Sequence, residues 1–132
     1  MAEPFEEARL LMKLAGRDNV TFQILGDHPQ APPESTIFHG QQAVEKAMKA
    51  VLSANRIVFP PTHNLLVLAK LVEGAGLALP VETSALERLN PYAVTVRYDD
   101  VDIHTLTKEA ARAIVEAVLT WANTRIPPEP QP

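Results

Sequence analysis

The segment STIFHGQQAVEKAMKAVLSA, residues 35–54, decides the fold of this chain because its apolar residues recur at the spacing of an α-helix. They form one continuous stripe, and the opposite side is polar, as expected for a helix that packs one face on a core. Gly40 interrupts this helix at a cost of about 1 kcal/mol relative to alanine, so we expect a neighbouring segment to pack closely there. The stripe consists of Ile37, Val44, Met48 and Val51.

The chain before this segment predicts a second helix. Residues 4–15 repeat apolar side chains at helical spacing, acidic residues occupy the first turn, and Gly16 is the predicted end. Residues 19–25 mix helical and extended periods, so they either continue the helix or form a short extended piece. The prolines in residues 26–33 then predict a connector without helical hydrogen bonding.

Two helices are predicted in the middle of the chain. The first covers residues 63–73, is apolar on most sides, and has Thr62 as its N-cap. The second starts at Thr83 or Ser84, and Ser84 with Glu87 matches a capping box. Apolar residues on nearly every side of the first of these helices predict that it lies inside the core.

The C-terminal part of the chain completes a helical domain. The Asn90-Pro91 pair must break or kink the preceding helix, and a last helix is predicted over residues 106–126. The remaining residues, 127–132, are rich in proline and are predicted to be a disordered tail. The sequence therefore predicts an all-α, up-and-down bundle of about five helices, which forms a single domain over residues 1–126.

Composition excludes several classes of function. The chain has 132 residues, no cysteine and a net charge of −4, so disulfides, thiolate zinc sites and thiol catalysis are excluded. The acidic balance argues against an obligate, high-affinity grip on a nucleic-acid backbone. An acidic N-terminus and the lack of a long apolar run predict a cytoplasmic protein with no membrane partner.

Motifs for metals, phosphates and cofactors were sought next. The four histidines lie alone in their segments, and no H-E-x-x-H motif is present. Asp99, Asp100 and Asp102 lack the glycine and terminal glutamate of a calcium loop, so a solvated turn is the better interpretation. The glycines form no phosphate-binding motif. We therefore expect neither a metal nor a cofactor.

Two Arg and His pairs share one spacing: Arg56 with His63, and Arg97 with His104. A guanidinium can hold a phosphodiester and a nearby imidazole can move a proton, so such a pair suits metal-free RNA cleavage. Prolines separate the first pair, which favours a solvated Arg56 at one helix end and His63 at the start of the next. For the second pair, an ion pair between Arg97 and an aspartate of the intervening turn is the favoured alternative to catalysis.

The polar side of the central helix also has two interpretations. It is either the solvent-exposed side of an amphipathic helix or a surface that a second copy of the chain covers in a homodimer. The breadth of the apolar stripes favours the homodimer. This face carries Gln42, Glu45, Lys46 and Lys49.

Three stretches together resemble the HEPN domain family: residues 38–52 (FHGQQAVEKAMKAVL), residues 59–65 (FPPTHNL) and residues 89–98 (LNPYAVTVRY). The resemblance implies a five-helix bundle that dimerises and associates with nucleotides or RNA. It also implies a minimal nucleotidyltransferase as partner, in a toxin–antitoxin pair.

Many HEPN proteins are metal-independent endoribonucleases with an arginine followed, within about two helical turns, by a histidine. Arg97 and His104 fit the long end of that spacing. Tyr98 directly after the arginine resembles the Arg-Tyr-ending branch, for which nuclease activity is not implied. The acids between the pair would also repel a phosphodiester.

Three hypotheses follow. In the first, the chain is a non-catalytic binding module in which Lys46, Lys49, His63 and Arg97 contact phosphate or a partner. In the second, it is a ribonuclease in which Arg97 grips the scissile phosphate and His104 acts as acid or base. In the third, it is a dimeric assembly protein without a ligand.

Overall fold

The computed structural model describes residues 4–94 and 106–130. Within these residues the chain forms α-helices and one 3₁₀ turn, and it forms no strand, which confirms the predicted all-α fold. The elements are α1 (Glu6–Gly26), α2 (Pro33–Ala54), α3 (Leu65–Gly74), α4 (Thr83–Leu89), the 3₁₀ turn (Asn90–Ala93) and α5 (Lys108–Arg125).

Helix α2 is the centre of the bundle. It packs against α1 along its length, and also against α5, α3 and the 3₁₀ turn. The four residues of the predicted apolar stripe are all buried, each at most 1 % exposed. Burial of this stripe contributes to hydrophobic stabilisation, since the free energy scales with the apolar area removed from water.

Gly40 lies where α1 and α5 both press on α2, as the sequence predicts. A β-carbon at this position would lie 3.1 Å from Phe22 Cε1 of α1 and 3.2 Å from Val115 Cγ2 of α5. Contacts that short would push the neighbouring side chains outward, so the absence of a side chain allows the three helices to approach.

The prediction that Gly16 ends the first helix is wrong. Helix α1 continues through it to Gly26, and residues 19–25 are therefore the helical continuation rather than an extended piece. The physical reason is packing on α2: Ala8, Ala15 and Phe22 recur every seventh residue and are all buried. This burial outweighs the cost of one glycine in a helix, about 1 kcal/mol.

The predicted N-cap of α3 is also wrong by two residues. Helix α3 begins at Leu65, and the Asn64 side chain caps it by accepting a hydrogen bond from the Leu66 amide (2.9 Å). Thr62 Oγ1 instead accepts from the Asn64 amide (3.0 Å), one step earlier in the chain. Asparagine caps helices at least as well as threonine, and here the loop geometry selects it.

Helix α4 begins at Thr83, one of the two predicted starts, but the capping box is wrong. Its N-cap is Glu82, which makes no side-chain capping hydrogen bond, and Ser84 Oγ donates to the Glu82 carboxylate (3.5 Å) rather than pairing with Glu87. The predicted break at Asn90-Pro91 is confirmed, because the chain tightens there into the 3₁₀ turn.

Helix α5 agrees with the predicted last helix to within two residues at each end. It is followed by residues 127 and 128, whose carbonyl oxygens accept hydrogen bonds from Arg9 Nε (2.9 Å) and Arg9 Nη2 (2.8 Å). Disorder of the proline-rich tail as a whole stays a prediction. No helix in residues 4–94 and 106–130 has the length and apolar character that a membrane crossing requires.

Candidate functional site

Two of the predicted ligand-binding residues, Lys49 and His63, meet at one buried carboxylate, that of Glu45. The Glu45 side chain is only 4 % exposed. Its Oε2 accepts a hydrogen bond from Lys49 Nζ (2.9 Å), and its Oε1 lies 3.0 Å from His63 Nδ1. We call these three residues the Glu45 cluster.

The hydrogen bond to Glu45 fixes the tautomer of His63. A carboxylate only accepts hydrogen bonds, so the imidazole must carry its proton on Nδ1. Since the His63 side chain is 67 % exposed, Nε2 is left accessible to a ligand. Lys49 likewise has three N–H donors and gives one to Glu45.

Local structure explains why the cluster forms. Glu45 and Lys49 are one helical turn apart on α2, so their side chains are neighbours. His63 comes from the loop between α2 and α3, and its backbone carbonyl accepts a hydrogen bond from Gln41 Nε2 (3.1 Å). Gln41 is fully buried one turn before Glu45, so α2 holds His63 by both its main chain and its side chain.

Two asparagines anchor the end of the same loop. Asn90 Oδ1 accepts a hydrogen bond from the Leu65 amide (2.8 Å), and Asn90 Nδ2 donates to Asn64 Oδ1 (3.1 Å). The first turn of α3 is thereby tied to the 3₁₀ turn, 25 residues further along the chain. This link fixes the position of His63, which directly precedes Asn64.

A cavity of about 570 Å³ lies beside the cluster, between α1, the end of α2 and the loop. Its wall includes Lys49, whose Nζ lies 5.8 Å from the centre of the Phe59 ring, a distance typical of cation–π contact. Arg56 and Glu7 also line it. Its volume falls in the range of small-molecule sites, about 300–1,000 Å³.

The model of one protein family, the HEPN domain, matches residues 28–124. This chain belongs to the HEPN domain family. No curated protein and no solved structure matches it. The match begins just before α2 and ends within α5, so this HEPN domain includes the whole Glu45 cluster and the loop that carries His63.

The other predicted site residues of the HEPN domain lie elsewhere. Lys46 points to α1, where its ammonium forms a close ion pair with Asp18, and it is not part of the Glu45 cluster. His39 Nδ1 lies 3.9 Å from Asp18 Oδ1, which is beyond hydrogen-bond range. Arg97 and His104 lie outside the described residues, as does the acidic turn between them.

For Arg56 and His63, the structure agrees with the favoured interpretation. Helix α2 ends at Ala54 and α3 begins at Leu65, so the two residues lie near the ends of different helices. Among the described residues, no group of three or more His, Asp or Glu side chains is placed to hold a metal ion.

Tyr92 is the described ionisable group whose environment clearly changes its pKa. Burial in the core raises the pKa of the phenol, and the nearby Glu34 carboxylate raises it further. A hydrogen bond with the backbone of Leu106 acts in the opposite direction. The phenol therefore stays neutral well above physiological pH.

The sequence pattern places Glu45 on the polar side of α2 and gives no indication of its central role. Gln41, Asn64 and Asn90 were missed as well. One signal was present: Gln41 lies one helical turn after Ile37 of the apolar stripe, and Glu45 directly follows Val44, so both lie at the edge of the core. Their partners could not be found in this way, because they are 18 to 26 residues away in sequence.

Proposed function

We propose that this HEPN domain is a binding module that engages the phosphate of a nucleotide or of RNA. The observation that carries the proposal is the Glu45 cluster. Glu45 orients Lys49 and His63 but uses only one donor of each. Two N–H groups of the ammonium remain for phosphate oxygens, which accept charge-assisted hydrogen bonds strongly. Nε2 of the exposed imidazole donates a further hydrogen bond when the ring is in its imidazolium form.

The cost of the buried carboxylate supports a functional role. Burying an ionised group is unfavourable, and a buried ion pair often adds no net stability compared with apolar side chains. Such arrangements are frequent at functional sites, where they orient charged groups. Because the chain as a whole carries a charge of −4, we expect moderate affinity that weakens as salt is added.

Calorimetry with ATP, GTP and a short single-stranded RNA tests this proposal. We expect heat of binding from at least one of them, reduced by His63→Ala and by Lys49→Met. The matched control is Lys70→Met, since Lys70 is exposed on α3 and outside the cluster. Equal binding by all three variants would contradict a role for the cluster.

We further propose that the domain works in the cytoplasm with a minimal nucleotidyltransferase, in a toxin–antitoxin-like pair, and that it forms a homodimer. Family membership supports both proposals. Lys46 and Arg97 are retained as partner or phosphate contacts. Light scattering on the purified chain tests the dimer, and co-purification with a co-expressed transferase tests the pair.

The alternative function is metal-independent endoribonuclease activity by Arg97 and His104. Their spacing in the sequence and their place shortly before α5 favour it. Cleavage of RNA in the presence of EDTA, lost in both Arg97→Ala and His104→Ala, would support this alternative. Absence of cleavage, of nucleotide binding and of a transferase partner together would leave an assembly protein without a ligand.

A further inference from the structure

One residue that lines the cavity beside the Glu45 cluster has an unusual backbone conformation. Arg56 has φ +59°, in the left-handed region that favours glycine. It lies at the end of α2, where the Arg56 amide donates to Ser53 O (3.0 Å) and the Ile57 amide donates to Leu52 O (2.9 Å). This pair of hydrogen bonds is the Schellman motif, which commonly has glycine at the left-handed position.

Helix α3 ends in the same motif with a glycine in that position. The Gly76 amide donates to Glu73 O, the Leu77 amide donates to Val72 O, and Gly76 has φ +82°. The two helices therefore end in the same backbone motif, with arginine in the left-handed position after α2 and glycine in that position after α3. At α2 a non-glycine residue occupies the strained position, and this residue is an arginine that lines the cavity.

The charges around the cavity limit what it can hold. Glu45 balances the charge of Lys49, although two of the Lys49 N–H donors remain, whereas the Arg56 guanidinium has no ion-pair or hydrogen-bond partner in residues 4–94 and 106–130. The carboxylate of Glu7 lies on the α1 side of the wall. Arg56 is therefore the cation of the wall whose charge is free to pair with a phosphate, while the Glu7 carboxylate repels further negative charge. A single phosphate group suits this wall better than a triphosphate, whose additional charge would meet no further cation.

The rest of the wall suits a planar ring. Phe59, Pro60 and Pro61 line the cavity from the loop, and Leu11 lines it from α1. Lys49 Nζ lies over the Phe59 ring, so a base would stack on the part of the ring that the ammonium leaves open. A nucleobase can stack on an aromatic side chain with a gain of about 1–3 kcal/mol. The Glu7 carboxylate can accept hydrogen bonds from a sugar hydroxyl or an amino group of the base.

From these observations we infer that the cavity binds a nucleoside monophosphate group, with its phosphate at Arg56, its base on Phe59 and a hydroxyl or amino group at Glu7. The group is either a free nucleotide or the 5′-phosphorylated end of an RNA. This inference rests on the proposed function and specifies where and what the domain binds.

NMR titration of the full chain with AMP tests the inference. We expect the amide signals of residues 56–59 and of Glu7 to shift. Adenosine and inorganic phosphate, each carrying half of the recognised group, should bind at least about tenfold more weakly than AMP. A hexanucleotide with and without a 5′-phosphate distinguishes an RNA end from a free nucleotide as the source.

Arg56→Gly is the decisive variant because it should not harm folding. Glycine relieves the left-handed strain, so the variant should melt a few degrees higher than the wild type. It should nevertheless bind AMP at least about tenfold more weakly, since the charge-assisted contact is lost. The control is Arg88→Ala, because Arg88 is exposed on α4 and alanine, unlike glycine, keeps the helix intact.

The outcomes are separable. Weaker AMP binding by Arg56→Gly and Phe59→Leu, with Arg88→Ala unchanged, supports the inference. If AMP or RNA binds but shifts other residues, or binds Arg56→Gly as well as the wild type, this inference is wrong and the proposed function stands. If neither nucleotide nor RNA binds the wild type, both are wrong.

Discussion

Replacing Glu45 with glutamine removes one negative charge from the cluster while keeping its shape. The side chain is 4 % exposed and accepts from Lys49, which is itself only 15 % exposed. A charged hydrogen bond of this kind contributes about 1.5–3 kcal/mol. The contact with His63 adds less, because that side chain is 67 % exposed and solvent screens it.

We therefore expect Glu45→Gln to lower the free energy of unfolding by about 2 kcal/mol, a fall in Tm of roughly 6–10 °C for a domain of this size. Urea unfolding followed by circular dichroism measures it. The control is Glu116→Gln, since Glu116 is exposed on α5 and should change stability by less than about 0.5 kcal/mol.

A double variant distinguishes the stability lost when one partner of the Glu45–Lys49 ion pair is removed from the net contribution of the whole ion pair to the free energy of unfolding. Glu45→Leu combined with Lys49→Met replaces both charges by apolar groups of similar size and should lie within about 1 kcal/mol of the wild type. It should still lose phosphate binding. The reasoning is refuted if Glu45→Gln unfolds like the wild type, or if the double variant is less stable than the single one.

Glycine, asparagine and tyrosine substitutions test the packing on which the site is built. Gly16→Ala should stabilise α1 by up to about 1 kcal/mol, because a β-carbon there meets nothing within 4 Å, whereas Gly40→Ala should give no gain in a parallel thermal melt. Asn90→Ala should cost about 1–2 kcal/mol in urea unfolding, since it leaves the Leu65 amide unpaired. Because the pKa of Tyr92 is raised in the folded state, the unfolded chain loses its phenolic proton first, so stability present below about pH 10 falls above it. Tyr92→Phe should lessen that fall in melts at increasing pH, and equal slopes would contradict the assignment.

Local pattern was sufficient for most of the helices. The stripe of α2 repeats every three or four residues, so its helical state and its buried face could be read from residues 35–54 alone. The close approach at Gly40 was predictable for the same reason, since a glycine inside a strong helix needs a packing explanation. Local pattern failed at Gly16, where burial of residues before and after it overrides propensity.

The candidate site was only half predictable. Lys49 and His63 could be selected as phosphate-binding residue types, and the i,i+4 spacing pairs Lys49 with Glu45. Nothing in the sequence indicated that His63 contacts the same carboxylate. Lys46 is next to Glu45 in sequence and yet pairs with Asp18 on α1, because successive residues of a helix point about 100° apart.

The amino-acid sequence by itself determined the helices, their buried faces and the family, because each is encoded by residues a few positions apart. Only the tertiary structure decided that Glu45 faces His63, that Asn90 holds the start of α3, and that Arg56 stands at a cavity in a backbone conformation typical of glycine. These features depend on how α1, α2 and the loop after α2 pack together. Packing brings together residues that are distant in the chain. Which residues become partners therefore depends on the packing free energy of the whole core and not on any short stretch of sequence.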